Sequence, residues 1–173
     1  MVLRFDALLL FSTVFIGAFL ETQQVRICMD LGPKDLKTFF AMLEKRPCPV
    51  YWEQFNGKCY RFIKTEHTWD QAKVACKKIN GYLVKVYDAK VNTWLVRRAK
   101  ALNIESFWIG LKKRHWKWRH EADNHAATYF DWKRNQPSGD GDCVHLWKGY
   151  HYKWNDSSCT NPLSYVCESN LTG

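Results

Sequence analysis

Apolar residues recur at helical spacing in two stretches near the middle of the chain. In the first, Trp69, Ala72 and Cys76 share one face. That spacing predicts a helix with Thr68 as its N-cap, running to about Ile79 and ended by Gly81. In the second, Val91, Trp94, Leu95, Ala99 and Leu102 mark another amphipathic helix. Ahead of both, Tyr51, Trp52, Phe55, Cys59, Tyr60 and Phe62 flank the turn pair Asn56-Gly57, the signal of a hairpin between aromatic-rich strands. After Leu102 the helical period vanishes and short apolar segments alternate with polar loops. Together these elements predict one α+β domain over residues 48–168, followed by a short tail, 169–173.

The N-terminal pattern is different. Arg4 precedes an apolar run from Ala7 to Leu20, stopped by Glu21, Thr22, Gln23 and Gln24. It is short for a membrane span and has the layout of a secretory signal peptide, so residues 1–20 are expected to be cleaved and the protein secreted. No later stretch is apolar enough for membrane insertion. Residues 21–47 read as a neck. Leu36, Phe39, Phe40 and Leu43 fall on one helical face between Pro33 and Pro47. A helix this short needs a partner surface, either its own domain or the neck of a second copy.

Seven cysteines in a secreted chain read as disulfides, and close pairs of the C-x-x-C kind are missing, which argues against zinc. Six cysteines in the domain allow 15 pairings, and spacing alone does not choose among them. Cys28 is left over in the neck, where an interchain bridge and a disulfide-linked homodimer would use it. The formal net charge of +9 is unchanged by loss of the leader, which carries only Arg4 and Asp6. Such a balance suits anionic partners or simply keeps the protein soluble, and secretion makes nucleic acid an unsuitable partner.

Three strings stand between the cysteines Cys48, Cys59, Cys76, Cys143, Cys159 and Cys167: Trp108-Ile109-Gly110-Leu111, Gln136-Pro137-Ser138 and Trp154-Asn155-Asp156. In this order they resemble the C-type lectin domain. The resemblance covers residues 48–168 and implies a disulfide-stapled α+β fold with two helices and short antiparallel sheets. It also implies the pairings Cys48–Cys59, Cys76–Cys167 and Cys143–Cys159, and glycans on cell or microbial surfaces as partners.

In that family a calcium ion sits beside the proline of an E-P-N or Q-P-D string, and the sugar's vicinal hydroxyls coordinate it. Calcium takes six to eight oxygen ligands, and acids and amides serve both ion and hydroxyl. Carried over, the ligands are Gln136, Ser138, Asn155 and Asp156, with Gln136 implying a galactose-type preference. Two positions depart from the pattern: Ser138 replaces an amide or acid, and Gly141 stands where the family has an acid two residues before the cysteine. The loop from Pro137 to Cys143 is also short, with Asp140 and Asp142 as substitute oxygens. Extracellular calcium modules bind near ambient calcium, and losing one good ligand at ~1.4 kcal/mol costs about tenfold. The expectation therefore divides between a calcium-dependent lectin and a calcium-independent scaffold for a protein, mineral or anionic surface. Trp147, Tyr150, His151 and Tyr152 lie where a galactose-stacking ring would be.

Asn155-Asp156-Ser157 and Asn170-Leu171-Thr172 are glycosylation sequons, and Asn170, near the C-terminus, is the better acceptor. Residues 112–119 form the densest basic-aromatic stretch. The resemblance assigns Trp116 and Trp118 to a strand with both rings in the core, and leaves the cations a role on anionic surfaces. His120-Glu121 with His125 misses the i, i+4 zinc-protease spacing. With no nucleophile motif elsewhere, an enzyme is not expected.

Overall fold

A computed structural model describes residues 48–170. The neck helix, Cys28 and the N-terminal leader fall outside the described residues.

Asn56 and Gly57 both take positive φ, 46° and 75°. The chain therefore reverses between β1 (Glu53–Phe55) and β2 (Lys58–His67), as the turn pair predicts. Helix α1 (Trp69–Lys78) starts on a reciprocal cap. The Thr68 hydroxyl accepts from the Gln71 amide, and the Gln71 side chain accepts from the Thr68 amide. Its buried face is Trp69, Ala72 and Cys76. The helix leaves through Asn80 in the left-handed region (φ 57°), and Gly81 N–H donates back to the Cys76 carbonyl. After β3 (Tyr82–Leu83), helix α2 (Ala89–Ala101) is capped by Asp88. Its Trp94 lies against Phe55, Tyr60 and Phe62.

The remaining strands are β4 (Ser106–Arg114), β5 (Lys117–His120), β6 (Cys143–Trp147), β7 (Trp154–Ser157) and β8 (Leu163–Asn170). They join one sheet in the order β1-β2-β8-β4-β6-β7, with β3 on β8 and β5 on β4. The expected antiparallel pattern has one exception: β4 and β8 run parallel, Phe107 opposite Ser164 and Trp108 opposite Tyr165. The last strand reaches its place by inserting between β2 and β4 rather than adding at an edge. Parallel neighbours are usually covered on both faces, and here Phe107, Trp108, Tyr165 and Val166 are all buried. The three disulfides are Cys48–Cys59, Cys76–Cys167 and Cys143–Cys159, the pairings that the resemblance implies.

The W-I-G-L string is a junction. Trp108 Nε1–H donates to the His67 carbonyl, and the Ile109 carbonyl accepts from Trp69 Nε1–H. At Gly110 a Cβ would lie 2.4 Å from the Leu83 carbonyl oxygen. One expectation fails here. Trp118 packs on Trp132, but Trp116 is 90% exposed. His115 and Trp116 have positive φ (47° and 64°) and form the β4–β5 turn, so strand alternation stops before Trp116.

These contacts rank two substitutions. Thr68→Ala, losing the cap, should cost about 1 kcal/mol. Gly110→Ala, forcing two backbones apart, should cost more, about 1–3 kcal/mol. Urea unfolding midpoints should fall in that order, and equal midpoints would refute the close-approach argument at Gly110.

Candidate functional site

The loop carrying the Q-P-S string is tied to β7 before it begins. A bridge joins Trp132 to Trp154, Lys133 N–H donates to the Trp154 carbonyl, and Trp154 N–H donates to the Asp131 carbonyl. Buried Asn92 of α2 clamps the same segment from inside: it donates to Asp131 Oδ2 and accepts from the Trp154 indole. Asn92 was not legible as a site residue, because an amide in an amphipathic helix reads as part of the polar face. The chain then passes Asn135 (φ 66°) and the cis Gln136–Pro137 bond.

Gln136, Ser138 and Asp156 are brought together. Ser138 N–H donates to both Gln136 Oε1 and Asp156 Oδ1 at 2.8 Å, and Gly139 N–H donates to Asp156 Oδ2 at 2.8 Å. The Ser138 hydroxyl adds a 3.3 Å contact to Oδ1. Asp156 is 0% exposed. Both oxygens of this buried carboxylate are therefore held by backbone amides of the loop. Such charge-assisted bonds are the strong kind.

Asn155 goes elsewhere. Its Nδ2 donates to His145 Nε2 at 3.0 Å and to the Asp156 carbonyl at 2.8 Å. His145 Nδ1 lies 2.5 Å from Ser106 Oγ, whose hydroxyl reaches the Leu146 carbonyl at 3.2 Å. A consistent chain of donors follows: Asn155 to Nε2, Nδ1–H to Ser106, and Ser106 to Leu146. That fixes His145 neutral, with its proton on Nδ1. Burial pushes its pKa down to about 4, only partly opposed by Asp140 and Asp156. Asp140 and Asp142 add no hydrogen bond to this network, since neither carboxylate makes an ion pair or hydrogen bond among the described residues, and Asp140 acts on His145 only through its charge. The Asp142 carbonyl instead accepts from Lys113 N–H.

Calcium is tested by this geometry. At Gly141 a Cβ would lie 1.8 Å from the Ser157 carbonyl carbon and 2.0 Å from its oxygen, so no acidic side chain has room there. The Asp156 oxygens already have amide donors, and Asn155 faces the histidine. The residues as arranged do not fit the ion.

Of the four aromatic candidates, Tyr152 is core: it is buried and its hydroxyl donates to the Ile104 carbonyl. Trp147 and Tyr150 instead pair at the outer end of β6, ring centroids 4.5 Å apart, with Lys133 Nζ 5.7 Å from the Tyr150 ring. His151 is exposed beside them. Asn170, the sequon residue, is exposed at the end of β8, its side-chain oxygen accepting from Lys58.

The family model described as Lectin C-type domain matches residues 65–169. A perlucin-like protein of Mytilus galloprovincialis is 34% identical over 127 residues, covering 69% of this chain and 81% of that protein. Among solved structures, human lithostathine superposes with a TM-score of 0.66 at 27% identity, over 71% of this chain and 99% of that one. The cow C-type carbohydrate-recognition domain of CD23, solved in the presence of GlcNAc2Man3 oligosaccharide, gives 0.65 at 31% identity, over 73% and 98%. C-type lectins commonly bind calcium and are generally not enzymes.

Two outcomes follow from the site. Gly141→Glu, which restores the family's acid, should lower Tm and give no calcium-induced rise in Tm; a calcium-stabilised variant would refute the steric argument. The second concerns pH. His145 and buried His120 both have folded pKa values pushed down to about 4, chiefly by burial, against about 6.5 unfolded. Above pH 6.5 neither affects stability. As pH falls from about 6.5 towards 4 the unfolded chain takes up protons that the folded one refuses, so stability drops, by up to about 3 kcal/mol per histidine. His145→Gln should flatten that slope in urea titrations at successive pH values, and an unchanged slope would refute it.

Proposed function

The chain belongs to the C-type lectin domain family, and from that premise we propose that it is a secreted glycan-recognition protein that binds without calcium. The observation that carries this reading is the buried Asp156 carboxylate, whose two oxygens are taken by the Ser138 and Gly139 amides. With those oxygens engaged by amides, sugar hydroxyls must be met by protein groups directly. Gln136 Nε2 and Asn155 Oδ1, neither with a partner among the described residues, offer a donor and an acceptor. The Trp147–Tyr150 pair offers a face for the apolar side of a sugar ring. Neutral hydrogen bonds of this kind contribute about 0.5–1.5 kcal/mol each. Such a site is weak alone, near the millimolar range that corresponds to about −4 kcal/mol. A homodimer linked through Cys28 supplies the avidity that repetitive cell or microbial surfaces reward.

The secreted location is supported by the apolar leader, by three disulfides and by the lack of any membrane-length apolar helix among the described residues.

The test is binding of the mature protein to an array of glycans, galactose and mannose included, with calcium and then with EDTA. Binding unchanged by EDTA, lost in Gln136→Ala and Tyr150→Ala, and weakened by Cys28→Ser is expected. Retention on galactose that EDTA releases would overturn the reading and restore an ion-bridged galactose site at Gln136, Ser138, Asn155 and Asp156. No retention on any glycan would also overturn it and point to a protein or mineral partner.

A further inference from the structure

The β4–β5 ribbon concentrates more positive charge on one face than the carboxylates around it balance, although Lys112 also lies over the Trp69 ring at 4.8 Å. Lys112 lies directly opposite Arg119, and Arg114 directly opposite Lys117. Opposite residues in a ladder, and residues two apart along a strand, share a face. All four cations therefore project from the same side, as two like-charged pairs of the kind that weakens a ribbon. Helix α1 brings two more, Lys73 and Lys77, onto Glu121 at 3.0 and 4.0 Å. Arg114 shares that carboxylate at 3.2 Å, and Lys112 reaches Asp70 at 3.6 Å. Six cations thus face two carboxylates. Arg119 has only the neutral Asn124 carbonyl, and Lys117 has no partner among the described residues.

At the apex of this ribbon stands Trp116, 90% exposed, with Lys113 Nζ 5.3 Å from its ring on the other side. A large ring exposed at the turn that joins the two strands of a cationic face is the pairing that reads a chain both anionic and ring-bearing. Cations two residues apart lie about 7 Å apart along the ribbon, and cross-strand partners about 5 Å apart. An extended polymer with closely spaced anions can satisfy several of them at once.

We infer that the face formed by β4, β5 and α1, with Trp116 at its tip, binds a sulfated linear polysaccharide, separately from the loop site of residues 136–156. Its sulfates neutralise Lys112, Arg114, Lys117 and Arg119, and a sugar ring lies on the Trp116 indole. The indole favours a polysaccharide over a mineral surface. A single exposed ring at a turn, flanked by cations in sequence, disfavours insertion into a lipid bilayer. The disulfide-stapled domain belongs to a compartment where sulfated chains are common and nucleic acid is not.

The experiment is binding of the mature full chain to heparin, followed across sodium chloride concentrations, with unsulfated heparosan, duplex DNA and phosphatidylserine vesicles as competitors. The expected results are retention on heparin at physiological salt and no competition by heparosan. Lys117→Ala/Arg119→Ala, with an unchanged circular dichroism spectrum and Tm, should bind at least tenfold more weakly. Its log–log salt slope should be lower by about 2, one for each cation removed. Trp116→Ala should weaken heparin binding severalfold with no change in that slope, since it removes a ring and no charge. Gln136→Ala should leave heparin binding untouched. Wild-type affinity in the double variant, or DNA or vesicles displacing heparin at equal charge concentration, would overturn the proposal.

Discussion

The domain depends on the insertion of its last strand. β8 pairs with β2 on one side and β4 on the other, and with β3 at its end, so it completes ladders with strands that come far earlier in the sequence. Those pairings join residues far apart in sequence, and closing such long loops is entropically costly. The Cys76–Cys167 bridge removes much of that cost from the unfolded chain, closing 91 residues for about 4–5 kcal/mol in the chain-entropy model. β8 also carries Glu168, buried yet fully engaged: Tyr82 donates to one oxygen, the Lys85 amide to the other, and Lys58 lies 3.3 Å away. A buried charge is tolerated only on such terms. The strand, the bridge and the carboxylate fix where β4 sits, and β4 in turn supports β6, β7 and the ribbon with β5.

What was legible in the chain is what local chemistry decides. The Thr68 cap, the Asn56-Gly57 pair and the helical faces of Trp69, Ala72, Cys76 and of Val91, Trp94, Leu95 are spaced within a few residues, and each appears as read. The disulfide pairing was different: spacing left it open, and the ordered strings of the family supplied it. The failures share a cause as well. Trp116 shares its parity with Trp118, but the parity argument holds only while the chain is extended, and two positive φ values end the strand. Asn92 and Ser106 escaped notice because their side-chain partners lie 39 or more residues away, and His145 because one of its two partners does. Nothing near His145 in sequence announces that Asn155 and Ser106 will bracket its ring.

The departures at the loop are best understood as one change rather than several. A loop of five residues between Pro137 and Cys143 must pass close to β7, and it brings the Ser138 and Gly139 amides within 2.8 Å of Asp156. That same passage presses position 141 against the Ser157 backbone, where only glycine fits. A longer loop that stood away from β7 would leave space for a side chain at 141. Short loop, missing acid and amide-bound aspartate are thus mutually required. Once the carboxylate has two N–H donors, an ion must displace both before it gains anything, and each such bond to a charged group is worth about 1.5–3 kcal/mol. Calcium modules of this kind bind only near ambient concentration. A few kilocalories of competing hydrogen bonding therefore suffice to keep the loop closed against an ion at that concentration.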